Sequence, residues 1–186
     1  MRTDRLSDRE RLLNLLQTKA LEIRKVTLSS GRVSDYYIDC KRVTLSPDGA
    51  YLTAKLMLEM IEDNVSAVGG LTLGADSIVA SIAVLSHIQG RNLQAMIVRK
   101  EPKKHGTMSF IEGPILEKDT KVAVVDDVVT SGSSLLKSIE RLVAAGFQPV
   151  QVLAVLDRQE GGREVIGAAG YKLKSIFTKG DMKIEA

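Results

Sequence analysis

Tryptophan is absent from the chain, cysteine occurs once, and aromatic residues fill only 4% of 186 positions. So few aromatics leave little material for the stacking platforms on which single-stranded nucleic acids lie. The lone Cys40 excludes an internal disulfide, and its composition suits a reducing compartment such as the cytoplasm. No histidine shares a motif with Cys40, so it reads as a small apolar core residue. Long apolar runs are also missing. The longest uncharged stretch, Leu142–Leu156, is too short to span a bilayer. The opening MRTDRLSDRERLL is heavily charged and holds no signal core, so neither export nor membrane insertion is expected. Two phosphate motifs are missing as well. There is no G-x-x-x-x-G-K-[ST], which excludes a P-loop NTPase, and no G-x-G-x-x-G after a strand, so a dinucleotide fold lacks its fingerprint.

What is present is room for one domain with a full core. The net charge of +3 and pI near 9.0 suit a polyanionic small molecule as readily as nucleic acid. The most informative stretch is Lys121–Val143, KVAVVDDVVTSGSSLLKSIERLV. Val122–Val125 is a continuous apolar run, which predicts a strand buried on both faces of a parallel sheet. Asp126 and Asp127 follow at its carboxyl end. Then come the small residues Thr130, Ser131, Gly132, Ser133 and Ser134, and after them Leu135, Leu136, Ile139, Leu142 and Val143 at helical spacing.

A tight loop of small residues lets backbone N–H groups converge on one point. The helix behind it adds unpaired N–H groups and the positive end of its dipole, making a socket for a phosphate. Two carboxylates beside the socket would repel a phosphate, so they suit the neighbouring hydroxyls of a ribose or a hydrated Mg²⁺. A ribose 5-phosphate meets both demands. The plainer reading is a strand–loop–helix turn capped by Asp127 and Ser131. The fixed register of Asp-Asp and Thr-Ser-Gly-Ser-Ser favours the phosphate site.

Nearer the N-terminus, Ser7-Asp8-Arg9-Glu10 is a capping box that opens an amphipathic helix to about Ala20. Ile23–Leu28 and Tyr36–Asp39 read as strands around the turn Ser29-Ser30-Gly31-Arg32, part of a small hood over the rest of the chain. Ser46 caps a helix with Pro47 at its first position and Tyr51, Leu52, Leu56, Met57, Met60 and Ile61 on its apolar face. From Val65 strands and helices alternate: strands at Val65–Gly70, Leu93–Val98, Val122–Val125, Val150–Leu156 and Tyr171–Phe177, helices at Ala75–His87, Ser133–Ala145 and Arg163–Ala169. That alternation predicts an α/β fold with a parallel sheet flanked by helices, and ligands beyond the strands' carboxyl ends. The division expected is residues 1–64 as helix and hood and 65–186 as the α/β core, in one compact domain.

Three further features sit at those carboxyl ends. Gly70-Leu71-Thr72-Leu73-Gly74 allows close approach to a ligand or makes a plain turn. Arg99-Lys100-Glu101-Pro102-Lys103-Lys104-His105-Gly106 is in isolation a solvated loop; beside a phosphate site its cations and histidine would suit a polyanionic ligand. Arg158 in Asp157-Arg158-Gln159-Glu160 could grip a planar carboxylate bidentately or pair with Glu160 at the surface.

VVDDVVTSGSS resembles the phosphoribosyl-pyrophosphate (PRPP) motif of type I phosphoribosyltransferases. The R-K-x-x-K-x-H-G pattern of Arg99–Gly106 is similar to the catalytic loop of their orotate-specific branch, DRQE to its orotate-binding segment, and SSGRVSDYYID to its hood segment. The resemblance runs from about Leu21 to Lys174. It implies the type I phosphoribosyltransferase fold and an orotate phosphoribosyltransferase, making orotidine 5′-monophosphate in pyrimidine synthesis. It implies that Arg99, Lys100, Lys103 and His105 bind diphosphate, with Lys103, His105, Asp126 and Asp127 catalytic. Val128, Val129, Thr130, Ser131, Gly132, Ser133 and Ser134 would complete the PRPP site with Asp126 and Asp127, and Thr130, Arg158, Tyr37 and Ile38 would hold orotate. Mg²⁺ would be carried by PRPP and not held directly by the protein. A homodimer sharing its active sites, in the cytoplasm and away from nucleic acid and membranes, is implied as well. In two places the chain departs from relatives: Ser29 stands where many have lysine, and Gly74 where some do. The chain ends at Ala186, so a fused decarboxylase is not expected. The alternatives are a transferase for another base, against which Arg158 and the catalytic loop argue, and a non-catalytic PRPP-sensing regulator, for which only the basic pI speaks.

Overall fold

Val122–Val125 forms a strand because alternate side chains leave opposite faces and both faces here are covered by helices. In the computed structural model, which describes residues 6–27, 33–102 and 109–184, Val122 and Val124 pack with Leu135, Ile139, Leu142 and Ile166. Ala123 and Val125 pack with Leu52, Met57, Ile78 and Ile82 on the other side. The uninterrupted apolar run therefore resolves into two cores, one per face.

The elements, in chain order, are α1 (Asp8–Leu15), running on into a π-helical turn at Leu16–Ala20; β1 (Leu21–Thr27) and β2 (Val33–Ile38); α2 (Lys41–Thr44) and α3 (Pro47–Met60); β3 (Ala67–Leu71); α4 (Asp76–Ile88); β4 (Gln94–Val98); β5 (Ile111–Glu112); β6 (Lys121–Val129); α5 (Ser133–Ala144); β7 (Gln148–Asp157); α6 (Gly162–Ala168); and β8 (Leu173–Thr178). The main sheet has the order β5-β4-β3-β6-β7-β8, parallel except for β5. β1 and β2 form a separate antiparallel pair, the hood. The helix caps predicted at Ser7 and Ser46 are present, each hydroxyl accepting a backbone N–H. Among the described residues no helix is long and apolar enough to cross a membrane.

Three local features differ from the sequence pattern. β6 does not stop at Val125 but runs to Val129, so Asp126 and Asp127 are strand residues; β7 extends beside it and pairs Val128 with Leu156 and Val129 with Asp157. Tyr51 leaves the buried face of α3 and is 48% exposed, because α4 and α1 close on the arc holding Leu52, Ala54, Met57 and Leu58 instead. Two elements had no periodicity to announce them, α2 with four residues and β5 with two.

Candidate active site

The carboxyl ends of β3, β6 and β7 lie side by side, and the residues following them converge. After Val129 the chain turns through Thr130 and Ser131 to Gly132, whose φ of +79° is open to glycine at little cost. α5 starts at Ser133 with no side-chain cap on its N-terminus. The socket and the helix start are thus built from backbone, without the side-chain caps that Asp127 or Ser131 could have supplied. A second glycine makes this possible: a Cβ on Gly162 would lie 2.5 Å from Val129 Cγ1 and 2.9 Å from the Thr130 carbonyl oxygen. The loop rests directly on the start of α6. The resulting concavity, about 50 Å³, is lined by Asp126 and Val128–Ser134.

A larger cavity of about 400 Å³ adjoins it, sharing Asp126, Val128 and Ser134 and adding Tyr37, Lys41, Leu71–Gly74, Lys100 and Asp127. The two carboxylates stand in its wall. Asp127 N–H donates to Asp126 Oδ1 at 3.0 Å, and Val128 N–H to Asp127 Oδ1 at 2.8 Å. Burial pushes the carboxyl of Asp126 well above its usual range, and the neighbouring Asp127 adds to it. Asp127 is raised too, again by burial, with Lys41 pulling the other way. Opposite them the β3 loop presses close: a Cβ on Gly74 would sit 2.5 Å from Asp127 Oδ1 and 3.2 Å from Asp126 Oδ1. A lysine at this position could not share this backbone path with the acidic pair as it stands.

Arg158 begins the turn after β7, its N–H bonded to the Val129 carbonyl at 2.9 Å. It is 2% exposed. The pairing with Glu160 expected at the surface exists but is buried: Nε to Glu160 Oε1 is 2.9 Å. Nη2 donates to Ser34 Oγ at 3.1 Å, and the guanidinium lies 4.3 Å from the centre of the Tyr36 ring. Tyr36 donates its hydroxyl to Glu160 at 3.3 Å, and Lys179 approaches the same ring at 5.3 Å. Ser34 and Tyr36 share one face of β2, so this cluster fastens the hood to the end of β7. A third cavity, about 390 Å³, opens beside it along Ile23, Val33–Tyr36, Glu160, Lys179 and Ile184.

The expected site residues therefore fall into separate groups. Asp126, Asp127, Val128, Val129, Thr130, Ser131, Gly132, Ser133 and Ser134 are brought together around the socket. Tyr37 and Lys100 line the larger cavity, while Ile38 is buried in the core beneath the hood and Arg158 is enclosed by its own partners. Arg99 turns aside, pairing with Glu112 at 3.0 Å. Lys103 and His105, like Ser29, lie outside the described residues. Three neighbours had no motif to mark them. Lys41 faces the acidic pair from the hood side. Tyr36, not Tyr37, is the aromatic under Arg158. Arg141 of α5 donates to the carbonyls of Arg99 and Lys100 and stacks at 4.1 Å on Phe110, gripping the chain on both sides of the basic segment.

Among the described residues no three His, Cys, Asp or Glu side chains converge as a metal-ligand set. The oxygen donors at hand are Asp126 and Asp127, which fit a hard cation that brings most of its own oxygen ligands.

Comparison with known proteins gives a consistent result. A family profile described as a phosphoribosyl transferase domain matches residues 75–176. The orotate phosphoribosyltransferase of Thermosynechococcus vestitus is 49% identical over 175 residues, covering 94% of this chain and 93% of its own. The orotate phosphoribosyltransferase of Mycobacterium tuberculosis H37Rv, solved with Fe(III) dicitrate, superposes with a TM-score of 0.83 at 37% identity, covering 96% of this chain and 100% of that one. The same enzyme solved with PRPP gives 0.79 at 35% identity, with coverage of 96% and 100%.

Proposed function

The chain belongs to the phosphoribosyltransferase family and, within it, to the orotate phosphoribosyltransferases, and from that premise we propose how its side chains divide the work. The enzyme is a pentosyltransferase of pyrimidine biosynthesis. It moves the phosphoribosyl group of PRPP onto orotate and yields orotidine 5′-monophosphate and diphosphate. The observation that carries the assignment of roles is the wall shared by the small socket and the larger cavity, with Asp126, Val128 and Ser134 in both. One sugar phosphate spans the two.

Thr130–Ser134 hold the 5′-phosphate through the loop backbone and the N-terminus of α5, with Val128 and Val129 forming the floor. Asp126 and Asp127 take the ribose hydroxyls. As the bond from C1′ to diphosphate lengthens and that to the orotate ring nitrogen forms, positive charge builds on the sugar. A buried carboxylate pair, already costly to keep ionised, gains most from that charge. Arg158 and Thr130 position orotate under the hood, with Tyr37 against the ring and Ile38 behind it. Arg99, Lys100, Lys103 and His105 receive the diphosphate, Lys103 and His105 stabilising it as it leaves. Catalysis is positioning and electrostatics, with no protein nucleophile.

Mg²⁺, when bound, would be carried by PRPP and would supply positive charge to the diphosphate, beside the carboxylates of Asp126 and Asp127 in the cavity wall. The enzyme works as a cytoplasmic homodimer whose subunits complete each other's sites, apart from nucleic acid and membranes. An apolar groove along α3 and α4, with Tyr51, Val84 and Ile88 exposed, supports a covered face. Residues 1–64 act as helix and hood and 65–186 as the PRPP-binding core of one compact unit.

The test is the ultraviolet absorbance of orotate with purified protein, PRPP and Mg²⁺. A PRPP-dependent fall, reversed when diphosphate is added to the product, is expected. An unchanged spectrum with PRPP still bound by calorimetry refutes the reading.

A further inference from the structure

The larger cavity has an acidic wall, yet its substrate brings a diphosphate. Cations have to reconcile the two. Among the described residues that line it, the cations are Lys41 and Lys100. Lys100 comes from beyond β4. Lys41 comes from the opposite side, as the first residue of α2, and no motif or role covers it.

Its setting is a built one. Asp39 accepts both the Lys41 backbone N–H at 3.2 Å and its ammonium at 2.6 Å. α2 is itself held in place: Val43 and Thr44 are buried, and Ser77 of α4 donates to the Thr44 hydroxyl at 3.0 Å. The lysine is 37% accessible at its side chain and turned to the cavity, not to bulk solvent alone. Burial opposes the charge on the ammonium, but the hydrogen bond to Asp39 and the attraction of Asp127 together outweigh it and raise its pKa, so the group enters the reaction charged. Across the cavity, Gly74 cannot bring a cation, because any side chain there meets Asp127 first. Lys41 therefore supplies positive charge from the hood side, as Lys100 does from beyond β4.

We propose that Lys41 is a substrate-binding residue that grips the diphosphate of PRPP from the hood side, with Asp39 holding its ammonium in position. The proposal rests on the orotate phosphoribosyltransferase reading. Before PRPP arrives, Lys41 offsets the acidic pair; once PRPP is bound, the ammonium bridges the diphosphate and Asp39. Binding of PRPP and placement of the hood segment are thereby joined in one side chain.

The experiment compares wild type, Lys41→Met and Lys41→Arg by calorimetry with PRPP and Mg²⁺, and in parallel with ribose 5-phosphate, which lacks the diphosphate. Loss of one charge-assisted contact predicts that Lys41→Met weakens PRPP about 10- to 100-fold. Ribose 5-phosphate affinity should stay within about 2-fold, and Lys41→Arg should regain most of the loss. The KM for PRPP should follow, while the KM for orotate stays near wild type. PRPP affinity unchanged in Lys41→Met overturns the proposal, as does an equal loss of ribose 5-phosphate, which marks a misfolded socket. Either result leaves the reaction of the wild-type enzyme intact, so failure here is separable from failure of the orotate reading.

Discussion

Replacing Asp126 with asparagine should stabilise the free protein while disabling it. Asp126 is 6% exposed and adjoins a second carboxyl, and burial with that neighbour raises its pKa well above 3.8. Each unit of such a rise costs the folded state about 1.4 kcal/mol at pH above both values. Asparagine keeps the oxygen that accepts the Asp127 N–H and turns an amide donor toward the remaining carboxylate. Relieving one buried, unpaired charge should add about 1–3 kcal/mol at pH 8, or about 2–10 °C in Tm for a chain of this size. The sign fixes the pH course. Between the ordinary carboxyl value and the raised folded value, the folded wild type holds more protons than the unfolded chain, so its stability falls as pH rises through that window. The variant lacks this fall. Its advantage should therefore be absent near pH 4, grow through the window and level off above it. Thermal melts from pH 4 to 9 without ligand measure it. In the same variant kcat/KM should drop about 10²–10³-fold, the usual loss when one preorganised electrostatic group is removed. A Tm at pH 8 equal to or below wild type, or a gain that is flat with pH, refutes the account.

Gly162→Ala drives a methyl into Val129 and the Thr130 carbonyl; it should cost about 1–3 kcal/mol and raise the KM for PRPP more than that for orotate, read from melts and initial rates. Arg141→Met removes the donors to the carbonyls of Arg99 and Lys100. Turnover should fall by about 10-fold with orotate binding kept, and an unchanged kcat would show that this grip does not position the basic segment. Lys103→Ala should lower kcat by about 10²-fold while leaving the orotate Kd near wild type; losses of similar size in both would remove its assignment to the leaving diphosphate.

Much of this site was legible in the sequence because its chemistry is carried by a contiguous run. Asp126 to Ser134 need only a strand before them and a helix behind them to form a socket, and periodicity supplies both. Capping was equally plain at Ser7 and Ser46, where a hydroxyl precedes the helix, yet silent for α5, which starts on a left-handed glycine. The end of β6 was misjudged for a physical reason. Carboxylates look like strand terminators in a lone segment, but here β7 continues alongside and fixes the backbone through Val129. Arg158 shows the other limit. Its bonds to Glu160 in the same turn could be guessed, but its contacts with Ser34 and Tyr36, 124 residues away for Ser34, depend on where the hood folds back. Lys41 escaped notice on the same grounds, since a lysine in a four-residue helix gains meaning only from the acidic pair it faces.

Cys40 closes off the strand that leads to that lysine. It is fully buried, and burial, then the charge of Asp127, pushes its thiol well above the normal range. Only the thiolate attacks an alkylating reagent, so the buried thiol reacts only when this segment comes loose. The protein thus contains a single built-in chemical stopwatch. The rate at which an alkylating dye is taken up counts the openings of one place, the junction between hood and catalytic pocket, and ligands that clasp that junction will slow the count without any label having been engineered.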